Sequence, residues 1–548
     1  MTHEARTALQ DLDTADLKQE LSRALNAAHL LVGNMKSELA ERKLSPADQY
    51  VRHGFAWYAA YVETLAATFL WMEELEASGR LGRLERLIGI ALFGDYLTQL
   101  AHGIAMSQDE VIRPERLGST EAMTAYLATE SVQACRQSST ADLAKEIVDL
   151  CADQGAYGNQ GLDETFAMIA DQFHAFVDEN VSEHAQSWHL ENQLIPDGLV
   201  RQLADLGVFG LTISEDFGGT GLGKLAMCIV TEELSRGYIG VGSLGTRSEI
   251  AGELIQIGGT EEQKAKYLPA IASGEILPVA VFTEPNTGSD LASLRTRAEK
   301  IDGRYKITGN KTWITHAGRS DLMTLLVRTN PDEPGHRGLT MLLAEKQRGT
   351  DEEPFPTPGM SGGEIHVLGY RGMKEYEIAF DGFEVPINAA LGGEEGQGFR
   401  QLMQTFEAAR IQTAARAMGV AVNAMEVSFA YAQDRVQFGK PIIENERIYG
   451  KLARMVVEIM GVRQLTYAAA RKKDQGGRCD VEAGMAKLLA ARLAWSAADN
   501  GLQIHGGNGY SLEFPISRIL CDARILNIFE GAAEMQAEII ARGLLPKI

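Results

Sequence analysis

Cysteine is scarce in this 548-residue chain: Cys135, Cys151, Cys228, Cys479 and Cys521 are an odd number, far apart, with no C-x-x-C. That spacing suits neither a disulfide framework nor a zinc site, and it fits a reducing cytoplasm. Long apolar runs are missing too, since none approaches the roughly 18 residues needed to cross a bilayer. The opening Met1-Thr-His-Glu-Ala-Arg6 lacks the apolar core of a signal peptide. Basic residues are outnumbered, 52 against 74 acidic, giving a formal charge of −22. Such a chain should repel DNA, RNA and anionic membranes, so an anionic ligand must be held by a few placed Arg, Lys and backbone N–H groups. No strand-linked G-x-G-x-x-G is present, which argues against a Rossmann-type cofactor site. No internal repeat is visible.

What is present reads as helix, then strand, then helix. Residues 1–155 carry helical periodicity (Leu17, Leu21, Leu25, Ala28), and Ser45-Pro46 predicts a helix start with Ser45 as the cap. The aromatic run Phe55, Trp57, Tyr58, Tyr61, Phe69, Trp71 reads as core packing. Ala156–Gly161, glycine-rich and aperiodic, reads as a linker. A second helical block covers 162–278. Short β-branched and aromatic runs then predict a small β-domain over 279–395, with strands at Tyr305–Thr308, Leu322–Val327, Leu339–Leu343, Ile365–Leu368 and Glu377–Phe383. Within it, Gln347–Gly363 reads as an exposed loop. Helical periodicity returns over 396–548.

Six stretches carry chemistry. Phe282-Thr283-Glu284-Pro285-Asn286-Thr287-Gly288-Ser289-Asp290 is a loop whose N–H groups and hydroxyls suit phosphate or a ring edge. In Asn310-Lys311-Thr312-Trp313-Ile314-Thr315, strand alternation places Trp313 and Thr315 on one face. Phe406-Glu407-Ala-Ala-Arg410 lies on a helix, and Arg435-Val-Gln-Phe438-Gly439-Lys-Pro-Ile442 follows. Near the end stand Gln503-Ile-His-Gly506-Gly507 and Ile528-Phe529-Glu530-Gly531. The glycines admit a bulky ligand to the backbone. A carboxylate beside apolar side chains is partly desolvated, which raises its pKa toward a base's working range. Alone, a Glu-Gly pair is ordinary chemistry at an element end.

Taken together and in order, these stretches resemble the acyl-CoA dehydrogenase family over about residues 162–545. The resemblance implies an α+β multidomain fold: a helical domain, a central β-barrel-like domain and a C-terminal helical bundle, here preceded by an extra N-terminal helical domain. It implies FAD, contacted by Phe282, Thr283, Gly288, Ser289, Trp313, Thr315, Arg435, Phe438, Ile442, Gln503, Gly506 and Gly507. Relatives reach the FAD diphosphate of a neighbouring subunit with the arginine that Arg435 matches. It implies Glu530 as the base that takes the substrate's α-proton. Some relatives place the base immediately before the arginine that Arg410 matches; here that position is Ala409. Phe406, Arg410, Ser289 and Gly531 are the implied acyl-CoA contacts, and electron-transferring flavoprotein the implied acceptor.

The N-terminal extension, the acidic loop before Ile365 and the run Met373-Lys-Glu-Tyr-Glu377 resemble a branch of the family acting on a short branched dicarboxylyl-CoA. Its free carboxylate needs a cation, and Arg247, in the helical segment that lines the acyl pocket in relatives, is the expected one. The competing reading of Arg247 is a solvated helix-end charge. Related enzymes of this length remain homodimers, by analogy the expectation here. An acyl-CoA oxidase, or a dehydrogenase for another short branched acyl-CoA, stays open. So does a nucleic-acid-binding flavoprotein of this fold, against which the charge and Glu530 both speak.

Overall fold

A computed structural model of the chain describes residues 8–118 and 120–545; the Met1–Arg6 segment lies outside them. The described chain divides into two compact units, residues 168–420 and residues 8–167 with 421–545. All five cysteines are free thiols. Among the described residues no helix is long and apolar enough to cross a membrane.

In the 168–420 unit, helices Gly223–Gly237, Ile239–Gly258 and Glu261–Ala272 precede the sheet. The last begins at a reciprocal cap: Thr260 Oγ1 accepts from Gln263 N–H while Gln263 Oε1 accepts from Thr260 N–H. The sheet has seven strands. In spatial order they are Pro278–Val281, Leu322–Arg328, Arg297–Ile301, Arg304–Thr315, Glu375–Pro386 and Met360–Ile365, with Leu339–Glu345 paired to Leu322–Arg328. Pairing is parallel where Pro278–Val281 meets Leu322–Leu325 and antiparallel along the long central pair Arg304–Thr315/Glu375–Pro386. Ile307, Ile314, Leu325, Ile378 and Phe380 form part of its buried core. The strand expected at Ile365–Leu368 instead runs Met360–Ile365, so the loop expected through Gly363 ends earlier. Its pairing to Glu375–Phe380 extends a sheet edge through Gly362 and Gly363, residues whose local propensity says loop.

The other unit is helical. Thr14–Glu41, Gln49–Ala77, Arg83–His102 and Ala141–Gln154 share it with Glu446–Asp474, Asp480–His505, Pro515–Ile525 and Ala533–Leu544. The Gln49–Ala77 helix begins later than the sequence suggests. Ser45 is not its cap: its N–H and hydroxyl both donate to Asp48 Oδ2, closing a turn before the helix starts. The aromatic run is core, as Phe55, Trp57, Tyr58, Tyr61 and Trp71 are buried, while Phe69 is partly so.

Charged groups stitch the two ends of the chain together. Arg492 Nη1 donates to Tyr61 OH (2.7 Å) and Nη2 lies 3.4 Å from Glu458 Oε1. Its guanidinium sits 5.3 Å from the Trp57 ring centre. Arg52 Nη2 donates to Glu538 Oε1 at 2.7 Å. The stretch Ala156–Gly161 is strapped down: Trp71 Nε1 donates to Asn159 O, Asn159 N–H to Glu85 Oε1, and Gln464 Nε2 to Gln160 O. Arg492→Met should leave Glu458 and Tyr61 short of a partner in a mostly buried setting. A loss of about 2 kcal/mol is expected, read as a lowered thermal midpoint; no change would show the cluster to be energetically idle.

Candidate active site

One group of candidate site residues lies in the 168–420 unit. Its loop from Phe282 to Glu284 is fastened to the Arg304–Thr315 strand and to the Arg295–Thr296 segment. Lys311, with no exposed surface, donates from Nζ to Phe282 O (2.8 Å) and to Glu284 Oε1 (3.1 Å). Thr312 N–H donates to Thr283 O, and Glu284 accepts from the N–H groups of Arg295 and Thr296. Burial works to raise the Glu284 carboxyl, but Lys311 and those donors outweigh it and hold it below its ordinary value. Burial pushes the Lys311 ammonium down to about 8 in spite of Glu284. Beyond the fastened segment Gly288 and Ser289 are exposed, and a Cβ at Gly288 would meet nothing within 4 Å. The loop tip is therefore open to a ligand.

Trp313 and Thr315 do not follow simple strand alternation. The register against Glu375–Pro386 shifts between Lys311 and Ile314, and Trp313 takes a left-handed conformation, φ 58°. The bulge inserts residues, so the period-2 rule fails across it. Trp313 is left 57% exposed, while Thr315 is buried. Thr315 Oγ1 donates to Glu375 Oε1 at 2.7 Å, which fixes its one hydrogen and leaves its lone pairs to face elsewhere. A left-handed aromatic residue held in the open is costly, and such strain gathers at functional sites.

Arg247 lies mid-helix in Ile239–Gly258 and is 8% exposed, so it is not a solvated helix-end charge. A narrow cavity lies against the same helix, lined by Val208, Phe209, Met227, Gly245, Glu249 and Gln412 among others. Arg247 is two residues from both Gly245 and Glu249, hence on the opposite side of the helix. Burial first, then the charges of Arg319, Arg348 and Arg247, push His316 down to about 3, so that ring is neutral. Sequence reading missed two buried groups here. Arg416 donates to Ser243 Oγ, Tyr370 OH and Thr413 Oγ1, and Lys224 pairs with Glu249 and Glu253. A charge inside a run of small residues, as in Thr413-Ala-Ala-Arg416-Ala-Met418, was the available signal for the first. On the Gly398–Asp434 helix Arg410 is buried with its guanidinium 6.0 Å from the Phe406 ring centre.

A separate group of candidate residues lies in the helical unit. The Asp480–His505 helix ends when Gly506, at φ 59°, turns its N–H back to Gln503 O. His505 stacks on Tyr431 (centroids 4.2 Å) with Nδ1 2.7 Å from Gly501 O, and Asn508 Nδ2 donates to Tyr431 OH. The turn is thus anchored beneath while Gln503, Gly506 and Gly507 stay exposed, with open space where Cβ atoms of the glycines would be. In the hairpin after Arg435, Phe438 is fully exposed at φ 52° and Ile442 is buried. Arg435 is exposed, its carbonyl accepting from Ile442 N–H. Glu530 is half-buried at φ 51° and is followed by Gly531 at φ 88°. Each group, taken by itself, presents an open, strained, internally anchored surface of the kind that a large planar or phosphate-bearing ligand can approach. Glu284→Gln should strip the counter-charge from a fully buried ammonium. A loss of about 3 kcal/mol is expected, read as a lower thermal midpoint and less FAD retained on gel filtration. Because the folded Glu284 pKa lies below the ordinary 4.5, its stabilising share is complete above that pH and is lost as pH falls through the folded value. The Gln variant should flatten that acid limb.

Three family models cover the chain in order: acyl-CoA dehydrogenase N-terminal domain at 163–275, middle domain at 280–383 and C-terminal domain at 396–545. Among curated proteins it is 58% identical to (2S)-methylsuccinyl-CoA dehydrogenase of Cereibacter sphaeroides, across 97% of this chain and 98% of that one. Among solved structures it is similar to butyryl-CoA dehydrogenase from Megasphaera elsdenii (TM-score 0.66, 32% identity, 70% of this chain and 99% of that one). It is also similar to glutaryl-coenzyme A dehydrogenase in its glutaryl-CoA complex (TM-score 0.65, 31% identity, 70% and 95%). Motifs, fold and matches agree: this chain belongs to the acyl-CoA dehydrogenase family.

Proposed function

We propose that the chain catalyses FAD-dependent α,β-dehydrogenation of a short branched dicarboxylyl-CoA, converting (2S)-methylsuccinyl-CoA to mesaconyl-CoA in the ethylmalonyl-CoA pathway. The observation that carries this reading is the extent of the similarity to the enzyme of that name. It runs through nearly the full length of both chains, N-terminal block included, whereas the butyryl-CoA and glutaryl-CoA relatives match 70% of this one.

An α C–H beside a thioester is a weak acid unless enolate charge is stabilised as it forms. Glu530 takes the α-proton, and its own backbone N–H donates to the thioester oxygen as that charge grows. Bound FAD supplies the acceptor for the β-hydride, and electron-transferring flavoprotein is the proposed next carrier. Phe282, Thr283, Gly288 and Ser289 would hold the cofactor from the anchored loop, and Trp313 and Thr315 would flank its ring. Gln503, Gly506, Gly507, Arg435, Phe438 and Ile442 would hold it from the helical unit. Phe406, Arg410, Ser289 and Gly531 would line the acyl-CoA path. Arg247, buried and in mid-helix, is the proposed partner of the substrate's free carboxylate; a charged hydrogen bond of that kind is worth about 2–3 kcal/mol. We place the enzyme in the cytoplasm as a homodimer, residues 1–155 covering the face that relatives use to form tetramers.

Anaerobic titration of the purified protein with a panel of CoA esters, following flavin bleaching, tests the substrate. Methylsuccinyl-CoA should bleach it fastest; a faster monocarboxylyl ester would refute the assignment. Turnover in air without an added acceptor would favour an oxidase. Glu530→Gln should lower turnover by at least ~10³-fold. Arg247→Ala should raise KM for methylsuccinyl-CoA roughly 30- to 100-fold and leave butyryl-CoA little changed. Light scattering should give the mass of two chains; four would remove the proposed role of the N-terminal block.

A further inference from the structure

The turn carrying Glu530 makes unusual demands. Two consecutive residues, Glu530 and Gly531, sit at positive φ, where L side chains are disfavoured. A left-handed pair of this kind persists only when its surroundings over-determine it. Here the carbonyls are clasped from two helices. Gln536 Nε2, at the start of Ala533–Leu544, donates to Gly531 O (2.9 Å) and to Glu530 O (3.3 Å). From Asp480–His505, Lys487 Nζ donates to Gly531 O at 2.6 Å. One helical turn further along that helix, Ala491 O accepts from Asn527 Nδ2 (3.0 Å), so the same helix face grips both ends of the 527–531 segment. The clasp closes directly over Gly531, where a Cβ would lie 2.3 Å from Gln536 Nε2.

Lys487 is the exceptional member. It has no exposed surface, and it stands in the apolar run Met485-Ala-Lys487-Leu-Leu-Ala-Ala491. Burying an ammonium costs several kcal/mol unless it is well bonded. A methionine of similar length would fill the same space without that cost. Packing alone therefore does not call for lysine here, whereas a short charge-assisted bond to a backbone carbonyl does.

We propose that Lys487 is a positioning residue for Glu530: its buried ammonium holds the Gly531 carbonyl and so fixes the left-handed turn that aims the Glu530 carboxylate at the substrate's α-carbon. This rests on Glu530 being the base. Lys487 touches neither substrate nor cofactor in that role. Its effect is geometric, and displacement of a reacting group by about 1 Å costs on the order of 10²-fold.

The test isolates proton removal in the full-length, FAD-loaded protein. An acyl-CoA analogue with sulfur in place of the β-carbon has an α-proton to lose and no β-hydride to give, and its enolate against the flavin produces a long-wavelength charge-transfer band. Wild type should show the band. Lys487→Met should form it at least ~10-fold more slowly, with analogue affinity within about 3-fold of wild type, and Lys487→Arg should recover most of the rate. Should Lys487→Met not fold or not hold FAD, Gln536→Leu removes the opposite half of the clasp without touching a buried charge, and the same slowing is expected. A band at the wild-type rate in Lys487→Met, or in Gln536→Leu where that variant stands in, overturns the positioning role. So does slowing explained wholly by weaker analogue binding. Glu530→Gln separates the two claims: a band that survives in that variant refutes the base, whatever Lys487 does.

Discussion

A buried ammonium must find acceptors, and three lysines of this chain find them in backbone carbonyls. Lys311 takes Phe282 O, Lys487 takes Gly531 O, and Lys346 takes Gly318 O and Gln347 O. In each case the carbonyl belongs to a segment outside regular structure, where the backbone has no ladder to satisfy it. Such a bond resists displacement by water because the lysine is already desolvated. The Phe282–Glu284 loop and the Glu530–Gly531 turn are thus each fastened from beneath. A flexible loop with the same residues would spend binding free energy on ordering itself.

The electrostatics follow from the same constraint. The chain as a whole is strongly acidic, yet the 168–420 unit buries Arg247, Lys311, Arg410 and Arg416. Each lies near a residue matched to FAD or acyl-CoA contact, or against the Ile239–Gly258 helix. His316, pushed down to about 3 by burial and by the nearby arginines, is held neutral and adds no charge near neutrality. Positive charge is therefore concentrated locally within a chain that is acidic as a whole.

Much of this was legible in the sequence. Helix–strand–helix order, the extra N-terminal helices and the core role of the aromatic run follow from periodicity that needs no tertiary information. The loop from Phe282 to Asp290 and the glycine cluster at 506–507 carry their signal in a few adjacent residues. What escaped was non-local. Asp48 displaced Ser45 as the boundary of its helix because a side-chain turn competed with the cap. The bulge at Trp313 is set by the partner strand, not by its own hexapeptide. Lys487 reads as one charge in an alanine-rich helix until its carbonyl partner, 44 residues away, is placed beside it. The strand Met360–Ile365 exists because an edge was waiting for it.

The strap at Ala156–Gly161 carries a consequence for how the N-terminal block behaves. Held by Trp71, Glu85 and Gln464, it is no hinge, and the helices before it lie on the 446–474 and 533–544 helices as a second protein would. Covalent attachment makes that partner unimolecular, so its occupancy does not fall on dilution. The carboxy-terminal bundle thus carries a built-in companion at fixed one-to-one stoichiometry, and its apolar flank stays covered at any cellular abundance.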